Sequence, residues 1–194
     1  MQGGPQVAQG MRIGVLGGSF DPAHDGHVHI SREALKRFRL DVVWWMLSPG
    51  NPLKQRGPAA MARRVEAAQA VAPPSVVVTD IEARLGGRFT ADTLDALHHR
   101  YPAARFVWLM GADNLAQLHR WRDWQRIVES TPIGVLPRPG WGARAGLSPA
   151  ARTYKAWRIR DAAALAGAQA PVWAMAGGPT SPASSTAIRK RGEW

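Results

Sequence analysis

The sequence predicts an α/β fold built on a doubly wound, mostly parallel sheet. Short apolar runs alternate along the chain with longer segments whose apolar residues recur at helical spacing. Turn-forming glycines and prolines separate these segments. A chain of 194 residues, 45% of them apolar, is long enough for one domain with a full hydrophobic core. Strands that alternate with helices imply a parallel sheet covered on both faces.

The first predicted strand covers residues 11–16, an apolar run that ends at Gly17 and Gly18 and leads into a tight turn. The helix after that turn, 26–40, carries apolar residues on one face. A second buried strand over 42–47 follows, and then a loop rich in proline and glycine. Together these elements form a strand–loop–helix unit, followed by the second strand of the predicted sheet.

The later elements repeat this alternation, and several have clear boundary signals. The helix over 90–100 begins at a threonine suited to capping and ends before Pro102. Residues 138–149 are predicted to be a connection without regular structure, because they are rich in glycine and proline. The remaining predicted elements are helix 59–72, strand 76–78, strand 106–110, helices 112–119 and 121–130, strand 133–136, strand 171–175 and helix 184–191.

Composition excludes several classes of protein. The chain has no cysteine, which excludes disulfide frameworks, thiolate nucleophiles, iron–sulfur clusters and cysteine-ligated zinc. It has no apolar run of about 18 residues that could span a bilayer, and its first residues lack a signal peptide's apolar core. We therefore expect a soluble, cytoplasmic protein without a membrane partner. Residues 1–10 are expected to be a disordered N-terminal extension, and 11–194 a single domain.

The net charge of +11, from 25 lysines and arginines against 14 acidic residues, admits two kinds of partner. Phosphate groups of a nucleic acid would be neutralised by such a surface, and so would those of a small polyphosphate substrate. The arginines are scattered along the chain and form no dense basic tail. Scattered arginines are typical of a solvated surface, so charge alone does not choose between these partners.

The loop after the first predicted strand carries the most informative residues. Glycines admit close approach of a ligand to the backbone, and a helix start offers free amides to an anion. The spacing fits neither the dinucleotide fingerprint nor the P-loop. His24 and His27 could be metal ligands, capping or core histidines, or a pair that contacts phosphate. The last interpretation is favoured, with the rings expected to be charged beside an anion.

A second candidate segment lies near the end of the chain. Ser184, Ser185 and Thr186 offer hydroxyls at a predicted helix start, and Arg189 follows one turn later. Hydroxyls at this position are often N-caps. Because the segment follows a strand of the same predicted sheet edge as the glycine loop, a phosphate site is the alternative.

Taken together, His24-Asp25-Gly26-His27 and Ala183-Ser184-Ser185-Thr186-Ala187-Ile188-Arg189 resemble the two signatures of the nucleotidyltransferase superfamily. Alanine at position 183 departs from the isoleucine usual there. Within the superfamily, the chain is most similar to the nicotinate-nucleotide adenylyltransferases. The further segments that resemble that family are Gly17-Gly18-Ser19-Phe20-Asp21-Pro22, Pro52-Leu53-Lys54, Phe89-Thr90-Ala91-Asp92-Thr93-Leu94, Gly111-Ala112-Asp113-Asn114-Leu115 with Leu118 and Trp121, and Arg138-Pro139-Gly140.

The resemblance implies a Rossmann-like nucleotidyltransferase fold and the transfer of AMP from ATP to nicotinate mononucleotide, giving deamido-NAD and pyrophosphate. It implies Mg²⁺ bound through substrate phosphates, with no dedicated protein ligands. The substrates ATP and nicotinate mononucleotide would be the partners, and no nucleic acid is expected. Alternatives are an adenylyltransferase for nicotinamide mononucleotide or pantetheine phosphate and, from another class, a basic nucleic-acid-binding protein.

The resemblance also implies roles for individual residues. The catalytic residues would be His24, His27, Lys54 and Arg189. ATP would contact Gly17, Gly18, Ser19, Phe20, Asp113, Arg138, Ser184, Ser185 and Thr186. The nicotinate nucleotide would contact Thr90, Trp121 and Arg122. For Asp113 a helix N-cap is the alternative, and for Trp121 it is ordinary core packing.

Overall fold

The structure is a computed structural model that describes residues 4–50, 57–86 and 89–194. In these ranges six strands form one sheet, in which every neighbouring pair is parallel. They are β1 (Arg12–Gly18), β2 (Val42–Leu47), β3 (Val76–Thr79), β4 (Arg105–Gly111), β5 (Ile133–Leu136) and β6 (Trp173–Met175). The order across the sheet is β3-β2-β1-β4-β5-β6. The chain therefore reverses direction across the sheet between β1 and β4, which confirms the predicted doubly wound architecture.

Helices cover both faces of this sheet. In the described part of the chain they are α1 (Asp25–Arg37), α2 (Met61–Val71), α3 (Ile81–Leu85), α4 (Thr90–Arg100), α5 (Ala112–Gln117), α6 (Trp124–Ser130), α7 (Gly142–Gly146), α8 (Pro149–Thr153) and α9 (Ser185–Lys190). Short 3-10 turns occur at Leu118–Arg120, Lys155–Trp157 and Ala162–Gly167. None of the helices in the described ranges has the length and apolar character needed to cross a membrane.

Most predicted limits of strands and helices agree closely with the structure. The strands β2 and β5 and the helix α4 have the predicted limits, and the other predicted elements begin or end within a few residues of them. The prediction of an unstructured connection over 138–149 was wrong at α7, whose five residues are too few for a helical period to show. Helix α8 was also missed, although Ser148 caps it and Pro149 occupies its first turn.

Both faces of the central strands are buried. Ile13 and Val15 on β1 and Trp44 on β2 pack into one cluster with α3 to α8. Alternate residues, such as Leu16 and Trp45, pack into a second cluster with α1 and α2. A strand buried on both faces gives a continuous apolar run, which is why these strands were recognisable in the sequence. Both clusters rest on the same sheet, and the single domain over 11–194 stays a prediction.

The N-terminal segment lies against this domain. Residues 4–10 form neither helix nor strand, but Val7 packs on the first cluster and the Gly10 amide donates to the Ala103 carbonyl at 2.7 Å. The expectation of a disordered extension over 1–10 stays a prediction.

Gly14 has no room for a side chain. A Cβ at this position would lie 2.6 Å from a methyl carbon of Leu40 and 2.7 Å from one of Leu109. These are ends of buried side chains from the loop before β2 and from β4. Close packing across the middle of the sheet therefore requires glycine here.

We expect Gly14→Ala to destabilise the protein by about 1–3 kcal/mol, because the added methyl group overpacks the core. Urea unfolding followed by circular dichroism measures this loss. The control is Gly142→Ala in α7, where an added Cβ meets nothing within 4 Å. That control should be neutral or stabilising by up to about 1 kcal/mol. Equal stabilities of the two variants would contradict the packing argument.

Candidate active site

The loops that follow β1, β2, β4, β5 and β6 meet at one edge of the sheet, because all six strands are parallel. In open α/β sheets, ligands bind at this edge, where the strand order reverses. His24 and Arg138 stand on two of these loops, Ser184 follows β6, and Asp113 lies in the first turn of α5 directly after β4. The fold thus brings together residues that are far apart in the sequence.

The loop after β1 is tightly held. The Ser48 amide donates to the Gly18 carbonyl at 2.9 Å and so extends the pairing of β1 with β2. A Cβ on Gly17 would lie 2.4 Å from the Trp108 ring, so glycine is required there. Phe20 has a φ of 46°, in the left-handed region that is unusual for a residue with a side chain. The predicted glycine loop is therefore a rigid, partly strained turn.

Packing of its ring holds Phe20 in this conformation. The ring is 1% exposed and its centroid lies 4.7 Å from that of His27 and 5.3 Å from that of Trp45. The Phe20 and Trp45 rings are stacked. The Phe20 side chain thus packs against the His27 ring, and the nucleotide contact that the resemblance implies for Phe20 stays a prediction.

His24 and His27 form a reciprocal cap at the start of α1. The Gly26 amide donates to Nδ1 of His24 at 3.0 Å, and the His24 amide donates to Nδ1 of His27 at 3.2 Å. The two ring centroids are 4.0 Å apart. A Cβ on Gly26 would lie 2.7 Å from the His24 ring. The spacing His24-x-Gly26-His27 is therefore what this cap needs, and the capping interpretation holds for both rings.

The cap also fixes which ring nitrogen can bind a ligand. Because each Nδ1 accepts a backbone hydrogen bond, each neutral ring carries its proton on Nε2. Burial lowers the pKa of His24, and the Arg138 charge lowers it further. Burial, followed by the charges of His24 and Arg138, lowers the pKa of His27 to about 3. Without a ligand, burial therefore favours neutral rings, and protonating Nδ1 would break the cap. The expectation that the rings are charged beside a bound anion stays a prediction.

The C-terminal segment packs directly on the loop after β1. The Ser184 hydroxyl accepts from the Ala187 amide at 3.1 Å and caps α9. The Ser185 hydroxyl donates to the Pro22 carbonyl at 2.9 Å. The two segments singled out in the sequence therefore touch each other.

Arg189 strengthens this junction. Its Nη1 donates to the Asp21 carbonyl and lies 3.7 Å from the Asp21 carboxylate, and its Nη2 lies 3.4 Å from the Thr186 hydroxyl. Asp21 additionally accepts from the Trp194 indole at 2.6 Å. Asp21, to which the sequence analysis assigned no role, therefore anchors the C-terminal segment.

Asp113 and Arg138 face each other across the edge of β4 and β5. Asp113 Oδ1 and Arg138 Nε are 3.7 Å apart, and both atoms are buried without a hydrogen-bond partner among the described residues. Gly111, not Asp113, is the N-cap of α5, and no side chain caps that helix. The capping interpretation of Asp113 was therefore wrong. At this separation the two groups form an ion pair without a hydrogen bond, so Oδ1 of Asp113 and Nε of Arg138 each keep unused hydrogen-bonding capacity.

The residues predicted to bind the nicotinate nucleotide lie on α4 and beside α6. Thr90 begins α4, and the Arg122 guanidinium lies 4.7 Å from the centroid of the Phe89 ring. Phe89 and Arg122 line an open cleft. Trp121 is partly buried against the first core cluster, so both the packing and the ligand-stacking interpretations remain.

Arg126 joins the two helices of this cleft. It pairs with Asp92 and, at 3.3 Å, with Asp95, and both carboxylates belong to α4.

The predicted catalytic residue Lys54 lies outside the described residues.

One more residue at this edge was missed entirely. Arg64 of α2 is 1% exposed and donates to the Ser19 carbonyl at 2.7 Å and to the Ser48 carbonyl at 2.9 Å. In the sequence it stands beside Arg63 in an ordinary amphipathic helix, so nothing in the periodicity marks it as buried.

Comparison with known sequences gives a consistent result. The model of the cytidylyltransferase-like family matches residues 15–191. A probable nicotinate-nucleotide adenylyltransferase of Cereibacter sphaeroides is 63% identical over 185 residues, which cover 95% of this chain and 100% of the relative. A protein of the same description from Ruegeria pomeroyi is 58% identical and covers 100% of this chain, with 92% of the relative covered.

A solved structure shares the fold at lower identity. Plasmodium falciparum nicotinic acid mononucleotide adenylyltransferase, in a complex with NaAD, matches with a TM-score of 0.66. The match covers 93% of this chain and 83% of that chain, at 15% sequence identity. This likeness supports the architecture of the sheet and its flanking helices.

The buried neutral histidines predict a pH dependence of stability. The pKa of His27 is about 3 in the folded protein against 6.5 when exposed, so only the unfolded chain gains a proton as the pH falls below 6.5. Stability is therefore lost as the pH falls. Between pH 7.5 and 5.5, His27→Gln should lose about 1.4 kcal/mol less than the wild type.

Glutamine serves here because its side-chain oxygen can accept from the His24 amide and keep the cap without titrating. Urea unfolding at the two pH values measures the difference. The control His99→Asn removes an exposed histidine at the end of α4 and should behave as the wild type. Parallel pH profiles of wild type and His27→Gln would show that His27 is not a buried neutral group.

Proposed function

We infer that this chain, which belongs to the cytidylyltransferase-like family and within it to the nicotinate-nucleotide adenylyltransferases, transfers AMP from ATP to nicotinate mononucleotide. The products are deamido-NAD and pyrophosphate. The observation that carries this proposal is the pair of Nε2 donors on His24 and His27, held at the sheet edge next to Arg138 and the C-terminal segment.

The reaction needs no proton acceptor. An oxygen of the nicotinate mononucleotide phosphate attacks the α-phosphorus of ATP, and the bond between that phosphorus and the bridging oxygen to the β-phosphate breaks. The attacking phosphate is already ionised at neutral pH, so no proton has to be removed. Catalysis then consists of holding the two substrates in line and stabilising charge on the transferred group and on pyrophosphate.

The histidine pair suits this task as neutral donors. Their Nε2–H groups would donate to phosphate oxygens, with His24 nearest to the transferred group. Binding an anion beside the rings would raise their pKa values, but the backbone bonds to Nδ1 oppose a second proton. We propose that the rings orient the triphosphate by hydrogen bonding more than by charge.

Cationic groups would supply the charge. Arg189 lies at the junction of the two motifs, and Lys54 is proposed as a further phosphate ligand from its place in the sequence alone. We assign Asp113 to the ribose of ATP, because its buried Oδ1 has no partner among the described residues and a hydroxyl could donate to it. The amides of Gly17, Gly18 and Ser19 would lie against the phosphates, with Ser184 and Ser185 on the opposite side.

Specificity for the acid would reside at the other end of the site. Thr90, Trp121 and the backbone near Arg122 are proposed to meet the nicotinate ring and its carboxylate. The cleft lined by Phe89 and Arg122 supports this assignment, because it opens at the start of α4.

Magnesium is the metal that this family chemistry implies. Among the described residues no group of three or more histidine, aspartate or glutamate side chains could hold a metal. We propose a magnesium ion held by substrate phosphate oxygens and water, which would neutralise phosphate charge. A cytoplasmic location remains a prediction drawn from the composition.

Purified protein with ATP and Mg²⁺ should release pyrophosphate far faster with nicotinate mononucleotide than with nicotinamide mononucleotide or pantetheine phosphate. A coupled pyrophosphate assay, with chromatography of the dinucleotide product, measures the three rates in parallel. A preference for either of the other acceptors would replace the proposed substrate. Absence of pyrophosphate with all three, together with salt-dependent binding of a mixed-sequence oligonucleotide, would favour the nucleic-acid alternative.

His24→Asn separates the two tasks of this histidine. Asparagine is a good N-cap, so its side-chain oxygen can still accept from the Gly26 amide, and stability should change by less than about 1 kcal/mol. The Nε2 donor is lost, so kcat should fall by about 100-fold or more.

His24→Ala is the matched variant, because it removes both the donor and the cap and should also lose about 1 kcal/mol of stability. Steady-state kinetics and thermal unfolding measure the two effects. Near-normal turnover of His24→Asn would exclude a direct role of His24 in the transfer.

A further inference from the structure

Arg64 stands apart from every other basic residue of the described ranges, because no other lysine or arginine there is buried. It has no carboxylate within salt-bridge distance in those ranges, and the nearby charge of Asp21 acts on it only from further away. Burying a guanidinium is costly unless its donors are satisfied. A buried cation that lacks an ion pair therefore calls for a specific set of hydrogen-bond acceptors.

Those acceptors are three backbone carbonyls from three different segments. Nη1 donates to Ser19 at 2.7 Å and to Ser48 at 2.9 Å, while Nε donates to Ala59 at 2.8 Å. Ser19 belongs to the loop after β1, and Ser48 follows β2 directly. Ala59 lies just before α2. One guanidinium thus ties together the two strand ends beside the proposed phosphate site.

The bond to Ser19 has a consequence for the peptide that follows. In a trans peptide the carbonyl and the next N–H point in opposite directions. Drawing the Ser19 carbonyl toward Arg64 therefore turns the Phe20 N–H away from Arg64. Together with the packing of the Phe20 ring, this bond fixes the surroundings of Phe20, whose φ of 46° costs free energy and persists only where the surroundings fix it.

The other two bonds fix the ends of the neighbouring loop. Ser48 and Ala59 flank the segment that carries Lys54, whose own placement lies outside the described residues. Arg64 therefore fixes the position of the loop after β1 relative to Ser48 and Ala59, the two residues that flank the segment with Lys54. No other side chain in the described ranges donates to carbonyls of all three segments.

We propose that Arg64 is a positioning residue for the transfer reaction, which holds the strained Ser19–Phe20 peptide and the anchor points at Ser48 and Ala59 so that the loop amides and His24 meet the triphosphate. This inference rests on the proposed function. Arg64 itself is too deeply buried to touch a substrate. Its effect passes through the backbone, and it depends on the planar, multidentate guanidinium, because a lysine cannot match this geometry.

The test compares Arg64→Lys and Arg64→Ala with the same substitutions at Arg152, an exposed arginine of α8. Four quantities are measured: the thermal midpoint, kcat, KM for ATP, and the Kd for a non-hydrolysable ATP analogue by calorimetry. Arg64→Lys should stay folded, with kcat about tenfold lower and KM and Kd about tenfold higher. The Arg152 variants should match the wild type.

Chemical rescue distinguishes positioning from simple stabilisation. Millimolar guanidinium chloride should restore part of the kcat of Arg64→Ala, since the ion can occupy the space left by the side chain, and should not raise that of Arg152→Ala. If Arg64→Ala does not fold, Arg64→Lys still decides. Kinetics of Arg64→Lys within about twofold of the wild type, with only a lower midpoint, would overturn the proposal.

Failure of the proposed function would give a different experimental result from failure of the positioning role. In that case the wild type itself would turn over none of the acceptors, whereas the Kd for the ATP analogue would still report on Arg64. A wild type that binds the analogue and an Arg64→Lys variant that binds it equally well would overturn the positioning role regardless of the acceptor.

Discussion

The two capping hydrogen bonds at the start of α1, from the Gly26 amide to His24 Nδ1 and from the His24 amide to His27 Nδ1, are the interaction on which the rest of the site depends. They satisfy amides at the start of α1 that would otherwise lack partners. They also select the tautomer of both rings and leave Nε2–H as the donor of each ring. The same geometry excludes a side chain at position 26, because a Cβ there would clash with the His24 ring. This capping motif therefore determines the structure of the start of α1, the protonation state of both rings and the nitrogen of each ring that can donate to a ligand.

The sheet topology gives this cap its neighbours. The reversal of strand order between β1 and β4 places the ends of both strands at one edge, where the Arg138 charge is close enough to lower the pKa of both histidines at the start of α1. The segment after β6 then closes the other side through the bonds of Ser185 to Pro22 and of Arg189 to Asp21. A long sequence separation between two motifs becomes direct contact because both follow strands of one parallel sheet.

The sequence allowed much of this to be predicted, and the reasons are physical. Strands such as β2 and β5 are buried on both faces and so appear as unbroken apolar runs. The spacing of glycine and histidine in the loop after β1 could be recognised in the sequence, because each of these residues has a defined role in the turn or in the cap of α1. Helix α7 is too short for a period, and the assignment of Nδ1 as an acceptor needs the backbone geometry itself. The burial of Arg64 follows from three carbonyls that only the folded chain brings together.

The net charge of +11 therefore explains little of how the site would bind anions. The two histidines are held neutral by burial and capping, so they offer donors to a polyphosphate without mutual repulsion when no ligand is present. Arg189 is paired with Asp21, and Arg138 lies opposite Asp113, which offsets their charge in the same state. Arg64 lies beneath the glycine loop and is satisfied by carbonyl oxygens. An anion entering this edge would thus meet oriented donors whose position is already set by the fold, and preorganised donors of this kind stabilise developing phosphate charge without reorganising during the reaction.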